Sequence, residues 1–177
     1  IDDYVQFSNP IIPVGDKTIV FWANVDVFGH FNQIITNPRG PAHENEGISF
    51  AAIENGTYFA AVGNGLSGSS TSHFLQTSSS DIYDDSSWHL IVAVQQSNQL
   101  SLYVDNVLVD QSSDVDGTES APNYNLRIGC TNIPEVVPYW YDGQVDDIRI
   151  YDRALSEIEV NQLCYENGWV PPITTTA

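Results

Sequence analysis

The chain has 177 residues, of which 23 are acidic and 5 are basic, giving a formal net charge of −18. Its length fits one domain that buries a core of its own, and no apolar run approaches the roughly 18 residues of a membrane span. Such a negative charge disfavours nucleic acid and anionic membranes as partners, so we expect neither nucleic-acid binding nor membrane insertion.

The first half of the chain consists of short runs rich in Val, Ile, Tyr, Phe and Trp, separated by Gly, Asn, Asp and Ser. This pattern favours an all-β sandwich. Residues 4–7 form a short first strand, and residues 18–25 are apolar on both faces, as in a strand covered on two sides. Residues 47–53 and 57–62 flank Asn55-Gly56, which predicts a tight hairpin turn.

The second half begins with a predicted three-stranded meander. Its strands are 88–94, 100–104 and 107–109, and its turns lie at 96–99 and 105–106. The polar stretches 63–72 and 111–123 are expected to be surface loops.

Residues 145–151 read as the last strand. Strict alternation puts Asp146, Ile148 and Ile150 on one face and Asp147 on the other. A carboxylate on the apolar side needs compensation, because burying it unpaired costs several kcal/mol or more. A metal ion is one source of compensation, and backbone N–H groups capped by Asp146 are the other.

A helix of about ten residues is expected after this strand. Ser156 and Glu159 form a capping box, Leu155 and Val160 occupy the staple positions, and Asn167-Gly168 supplies the stop.

The two cysteines, Cys130 and Cys164, permit one bridge. A disulfide would pin the helix to the sheet and stabilise the fold by roughly 3 kcal/mol. Two separate buried thiols are the alternative.

The chain lacks an initiator Met and ends in a Pro/Thr-rich segment, residues 169–177, which reads as a linker. We therefore expect a domain over residues 1–168, taken from a larger secreted protein and joined to neighbouring domains.

Several segments in fixed order resemble a laminin G-like (concanavalin A-like lectin/glucanase) domain. They are DYV at 3–5, TIVFW at 18–22, WHLIVAV at 88–94, LYVDNVLV at 102–109, IG at 128–129 and GQVDDIRIYDRAL at 143–155. The resemblance implies a jelly-roll sandwich of two antiparallel sheets with one short C-terminal helix. It also implies one structural calcium ion, with Asp146 as the matching carboxylate and Asp3 as its neighbour.

No catalytic constellation is present. The strand Glu-x-Asp-x-x-Glu of related glycoside hydrolases and the Gly-x-Ser-x-Gly turn are both missing from the sequence. The four histidines lack ligand spacing: we expect His89 to pack or hydrogen-bond, and His30, His43 and His73 to lie in loops.

The resemblance places Trp22 and Trp88 at core positions and implies that Trp140 turns outward. An exposed indole is a platform for a sugar ring, although packing of Trp140 against a loop is the alternative. The loop residues Tyr139, Asn37, Arg39 and His43 are further ligand-binding candidates.

Together these features predict a noncatalytic, calcium-stabilised carbohydrate-binding module of an extracellular protein. The partner would be a carbohydrate or another cell-surface ligand. An adhesion module that binds a protein, or a spacer domain with no ligand, are the alternatives.

Overall fold

A computed structural model describes residues 3–9, 11–27, 32–37, 46–53, 56–64, 73–76, 83, 85–113, 125–131 and 139–166. Among these residues all but one of the regular elements are strands. In chain order they are β1 (Val5–Gln6), β2 (Lys17–Val25), β3 (Asn32–Thr36), β4 (Glu46–Ile53), β5 (Thr57–Asn64), β6 (His73–Gln76), β7 (His89–Gln96), β8 (Gln99–Val104), β9 (Val107–Ser112), β10 (Arg127–Ile128), β11 (Cys130–Thr131), β12 (Tyr139–Trp140), β13 (Gly143–Tyr151) and α1 (Glu157–Tyr165).

The strands form two main antiparallel sheets. One has six strands in the order β1-β10-β3-β4-β5-β6, the other has five in the order β13-β2-β7-β8-β9, and β11 and β12 form a small pair of their own. The predicted all-β, two-sheet jelly-roll sandwich with one short helix is confirmed. Strands β3, β6 and β12 were not predicted.

Strand β2 is buried on both faces, as the sequence predicts. Ile19, Phe21 and Ala23 belong to the core between the two sheets. Val20 and Trp22 face the other way and pack with α1 residues such as Val160 and Leu163. The five-stranded sheet is therefore the middle layer, between the six-stranded sheet and the helix.

The predicted turns of the meander are confirmed. Asp105 and Asn106 have φ angles of 50° and 69°, the left-handed pair that a two-residue hairpin turn needs. Val104 and Val107 are paired directly across this turn. Gly56, at φ 73°, lies in the connection between β4 and β5, where Ile53 pairs with Thr57.

The helix prediction is confirmed at its start. Ser156 accepts from the N–H of Glu159, and the Glu159 carboxylate accepts from the N–H of Ser156. Leu155 and Val160 are both buried in the cluster beneath the helix. The predicted stop at Asn167-Gly168 and the linker at 169–177 lie outside the described residues.

The last strand contains a bulge that the sequence analysis did not foresee. Asp146 pairs with Trp22 and Arg149 pairs with Val20, so two residues of β13 stand opposite the single residue Phe21. Asp147 takes a φ of 48° at this point. The extra residue reverses the side-chain alternation beyond Asp146.

The face predicted for Asp146 is consequently wrong. Val145, Ile148 and Ile150 pack against the core between the sheets, whereas Asp146 is exposed on the opposite face. Its Oδ1 accepts from the N–H of Asp147 at 2.7 Å, a local contact. Asp146 is not a buried carboxylate that needs a cation.

Cys130 and Cys164 are free thiols, so the disulfide is absent from this structure. Cys164 packs beneath the helix, on the outer face of the five-stranded sheet. Cys130 lies in β11, where it pairs with Trp140 of β12. Neither sulfur atom is bonded to the other, and both thiols are buried.

Both thiols should resist modification in the native protein. Burial, together with the charge of Asp105, raises the pKa of Cys164 to about 11, and burial raises the pKa of Cys130 as well. We expect a disulfide-exchange reagent to react with neither thiol under native conditions and with both after denaturation without reductant. A denatured, unreduced chain with no reactive thiol would instead establish the bridge.

Candidate ligand-binding site

The first strand, β10 and β12 meet at one corner of the sandwich. Val5 pairs with Ile128 and Gln6 with Arg127, and Cys130 pairs with Trp140. These contacts bring the first strand next to segments from the second half of the chain. Gln6 and Arg127, for example, are separated by 121 positions in the sequence.

Gly129 allows the chain to pass closely at this corner. Its φ of 91° favours glycine, and a Cβ atom there would lie 3.1 Å from the carbonyl oxygen of Asp3. Its N–H donates to the carbonyl of Ile34, and its own carbonyl accepts from the N–H of Tyr141, each at 2.9 Å. Gly129 thus links β3 to the segment after β12 by hydrogen bonds, while the chain just before β1 passes close to it.

Three side chains form an accessible surface at this corner, which we call the Tyr4 surface: Tyr4, Arg127 and Trp140. Tyr4 is 50% exposed, and Arg127 and Trp140 are half-buried. The rings of Tyr4 and Trp140 have centroids 6.2 Å apart and are tilted by 53°. The Cζ atom of Arg127 lies 5.6 Å from the centroid of the Tyr4 ring, at cation–π distance.

The Tyr4 surface combines two chemistries. Its aromatic rings offer apolar faces, and the guanidinium offers several N–H donors in a fixed plane. Nε of Arg127 donates to Oε1 of Gln6 at 2.9 Å, which orients the fork. A flat, partly apolar molecule with hydrogen-bonding groups at its edge suits this arrangement.

The predicted ligand residues fall in different places. Trp140 is half-buried beside Tyr4. Part of its side chain is accessible, as predicted for a sugar platform, and its ring also packs against a neighbouring residue, as in the predicted alternative. Tyr139 lies in β12 and pairs with Thr131. Arg39 and His43 lie outside the described residues.

Asn37 is not an accessible loop residue. It is only 3% exposed, its N–H donates to the carbonyl of Ile48, and its Oδ1 accepts from the N–H of Ile48. The side chain continues the pairing of β3 with β4, which removes it from the ligand-binding candidates.

Two residues of the Tyr4 surface, Tyr4 and Arg127, were not among the predicted ligand-binding residues. Tyr4 was assigned to the first strand, and Arg127 precedes the Ile128-Gly129 pair that carried part of the resemblance. The predicted first strand includes Tyr4, but no strand bounds were predicted around Arg127. Their proximity depends on the pairing of β1 with β10, for which no local signal exists.

A second polar cluster lies where the start of β7 meets the β8–β9 turn. Nδ1 of His89 is 2.6 Å from Oδ2 of Asp105, and Nε2 is 3.1 Å from Oδ1 of Asp85. The rings of Tyr83 and Tyr58 approach the imidazole edge-on, at 5.0 and 6.2 Å. The expectation that His89 forms hydrogen bonds is confirmed, whereas His73 lies in β6 and not in a loop.

The two carboxylates favour a charged imidazole. Burial opposes the charge, but the hydrogen bonds to Asp105 and Asp85 outweigh it, and the pKa of His89 lies above its ordinary value. The pKa of Asp85 is lowered, because the N–H of Ser87 and His89 together outweigh its own desolvation. With both ring nitrogens engaged, His89 acts as a structural clamp between β7 and the β8–β9 turn.

A calcium ion at Asp146 and Asp3 does not fit the structure. Calcium takes roughly six to eight oxygen ligands in one place. Asp146 is exposed on the face shared with Trp22, whereas Asp3 lies beside Gly129 at the corner of the other sheet. Within the described ranges no three His, Cys, Asp or Glu side chains are placed to hold a metal. Calcium binding stays a prediction without assigned ligands.

Two layers of antiparallel sheet with this strand order define a lectin-like sandwich. The chain belongs to the Laminin_G_3 family, described as the concanavalin A-like lectin/glucanases superfamily, whose sequence model matches residues 1–161. The predicted resemblance is therefore confirmed. No curated protein sequence matches the chain.

Solved structures share the fold at low identity. The CBM40 domain of the Ruminococcus gnavus IT-sialidase, bound to α2,3-sialyllactose, matches with a TM-score of 0.70 and 14% identity, over 86% of this chain and 84% of that one. A structure from work on botulinum neurotoxin type C and two ganglioside molecules matches with a TM-score of 0.64 and 16% identity, over 86% of this chain and 36% of that one. The binding domain of botulinum neurotoxin DC, in complex with rat synaptotagmin II, matches with a TM-score of 0.63 and 15% identity, over the same shares.

At these identities the likeness shows the fold alone. The chain spans little more than a third of the two toxin chains. In the described part of the chain, no helix has the length and apolar character needed to cross a membrane.

The His89 clamp predicts a pH-dependent stability. A folded-state pKa above the unfolded value of about 6.5 gives stabilisation that is complete below that value and lost as pH rises through the folded pKa. We expect His89→Gln to lower the free energy of unfolding by about 1–3 kcal/mol below pH 6.5, and by less at higher pH.

Denaturant unfolding of both proteins across this range measures the difference. Tyr58 and Tyr83 also face the imidazole. Burial raises the pKa of Tyr58 further above its ordinary value, so Tyr58 stays neutral throughout this pH range. Asp105→Asn should reproduce the pH dependence of His89→Gln, and a wild-type-to-variant difference that grows with pH would contradict the clamp.

The exposure of Asp146 predicts that its charge is dispensable. We expect Asp146→Asn to change the free energy of unfolding by no more than about 0.5 kcal/mol, as for other surface substitutions. Thermal unfolding with calcium and with EDTA should give the same calcium response in both proteins. A response present in the wild type and lost in Asp146→Asn would restore Asp146 as a ligand.

Proposed function

We propose that this domain is a noncatalytic carbohydrate-binding module of an extracellular protein, and that sugars bind at the Tyr4 surface. One observation carries the proposal: a half-exposed tyrosine ring lies next to a tryptophan and an arginine at a corner fixed by backbone pairing.

The physical basis is complementarity with a pyranose ring. The C–H faces of a sugar are apolar and pack on aromatic rings, while its hydroxyl groups need hydrogen-bond partners at the edge. Tyr4 and Trp140 supply the first contact, and the Nη groups of Arg127 supply the second. The planes of the two rings are tilted by 53°, so the rings present two separate apolar faces.

The site is also held in advance of binding. Tyr4 is fixed by the pairing of β1 with β10, Trp140 by its pairing with Cys130, and Arg127 by its bond to Gln6. Preorganised side chains lose little conformational entropy when a ligand binds, which favours recognition of small, polar sugars.

Two proteins with similar folds support a glycan ligand. The sialidase CBM40 structure contains sialyllactose, and the neurotoxin type C work concerns ganglioside molecules. The neurotoxin DC domain is instead in complex with synaptotagmin II, which keeps a protein-binding adhesion module as the second candidate. Tyr139, Arg39 and His43 remain predicted contributors to the sugar site.

Substitution of the aromatic residues tests the proposal. We expect Tyr4→Ala and Trp140→Ala each to weaken binding on a glycan array and in calorimetry by about tenfold, because each removes a stacking face. The matched control is Tyr165→Ala, since Tyr165 is 52% exposed on α1, away from this corner.

The outcomes separate the alternatives. Glycan binding that is lost in the Tyr165→Ala variant, or retained in both test variants, would reject the Tyr4 surface as the site. A wild-type domain that binds no glycan would reject the function itself and leave the adhesion and spacer alternatives.

A further inference from the structure

The arginines of this chain differ in their partners. Arg149 contacts Asp147 through Nε and Nη2 at 2.9 and 2.7 Å, and Glu166 through Nη1 at 2.6 Å. Arg153 contacts both carboxylate oxygens of Glu159, at 2.7 and 3.1 Å. Each guanidinium is neutralised by at least one carboxylate.

Arg127 is the exception among the arginines that the structure describes. Its protein contacts are the neutral amide of Gln6 and the ring of Tyr4, with no carboxylate within ion-pair distance in the described ranges. The chain holds 23 acidic residues against 5 basic ones, so acidic partners are abundant. The positive charge of Arg127 is therefore available to a ligand at this accessible corner.

The geometry leaves the outer edge of this guanidinium available. Nε donates to Gln6, and the Cζ atom lies 5.6 Å from the centroid of the Tyr4 ring. The Nη donors form the fork that matches the two oxygens of a carboxylate. A neutral hydroxyl would use one donor of the fork, whereas a carboxylate would use two and neutralise the charge.

We propose that the sugar bound at the Tyr4 surface carries a carboxylate, and that Arg127 binds this carboxylate while Tyr4 and Trp140 contact the ring. This inference rests on the proposed function, because it names the chemical class of the ligand for the same surface. The ligand is then an acidic saccharide, such as a uronate or a sialylated glycan.

The net charge of −18 opposes the approach of an anion at long range. That repulsion is screened beyond about 8 Å at physiological ionic strength, so the contact with Arg127 dominates the bound state. Higher salt should consequently speed association of an acidic sugar, the reverse of the behaviour of a basic lectin surface.

Calorimetry with matched sugars tests the inference. The probes are sialyllactose and oligogalacturonate, each paired with its carboxyl-reduced counterpart, so that the members of a pair differ only in the carboxylate. We expect the wild type to bind at least one acidic member about tenfold or more tightly than its neutral counterpart.

Arg127→Gln should abolish this preference, so that the acidic and the neutral member of a pair then bind with affinities within about twofold of each other. Arg127→Lys keeps the charge but not the fork and should fall between the two. The control is Arg153→Gln, which makes the same change in net charge at the remote Arg153–Glu159 pair and should bind as the wild type does. Circular dichroism and the melting temperature verify that each variant is folded.

The failures are distinguishable. Equal affinities for acidic and neutral members would overturn the inference and leave the proposed sugar binding intact. Equal losses in Arg127→Gln and Arg153→Gln would also overturn it, because net charge and not contact would then explain the preference. Binding to neither member of any pair by a domain that binds other sugars on the glycan array would overturn the inference alone, whereas a domain that binds no sugar at all would contradict the proposed function as well.

Discussion

Strand β2 must be covered on both faces, and the architecture follows from this constraint. Its inward residues, such as Phe21, need the six-stranded sheet, and its outward residues, such as Trp22, need helix α1. Thr18 joins these layers: its hydroxyl donates to the carbonyl of Arg153 and accepts from the N–H of Leu155, at 3.0 and 2.9 Å. The segment that starts the helix is thereby tied to the central strand, and the helix is placed over the apolar face that would otherwise be exposed.

The candidate site lies where this frame leaves side chains uncovered. The five-stranded sheet has a helix on its outer face, whereas β1, β10 and β12 meet at a corner of the other side of the sandwich. Tyr4 and Arg127 are held there by strand pairing and by the close passage at Gly129, not by burial. A rigid scaffold with a half-exposed aromatic and arginine surface is suited to binding a small polar ligand with little reorganisation.

Local signals predicted most of the strands and the helix. The alternation of Leu90, Val92 and Val94, the left-handed turn at Asp105 and Asn106, and the capping box of Ser156 each depend on neighbouring residues only. Strands β3 and β6 were missed, since a buried run such as 32–36 gives no clear period and His73–Gln76 is very short. Of the residues of the Tyr4 surface, Trp140 was predicted, whereas Tyr4 and Arg127 were not. The hydrogen-bond partners of His89, in the other polar cluster, were not predicted either.

The sequence by itself determined the sandwich, the meander and the capped helix, because these follow from periodicity, turn residues and capping within a few positions. Only the tertiary structure decided that Asp146 is exposed, that Cys130 and Cys164 are separate buried thiols, and which residues adjoin Tyr4. The physical reason is strand register. One extra residue in the bulge of β13 reverses the faces of the side chains beyond it. Pairing between strands more than a hundred residues apart, such as β1 and β10, cannot be predicted from a local sequence pattern.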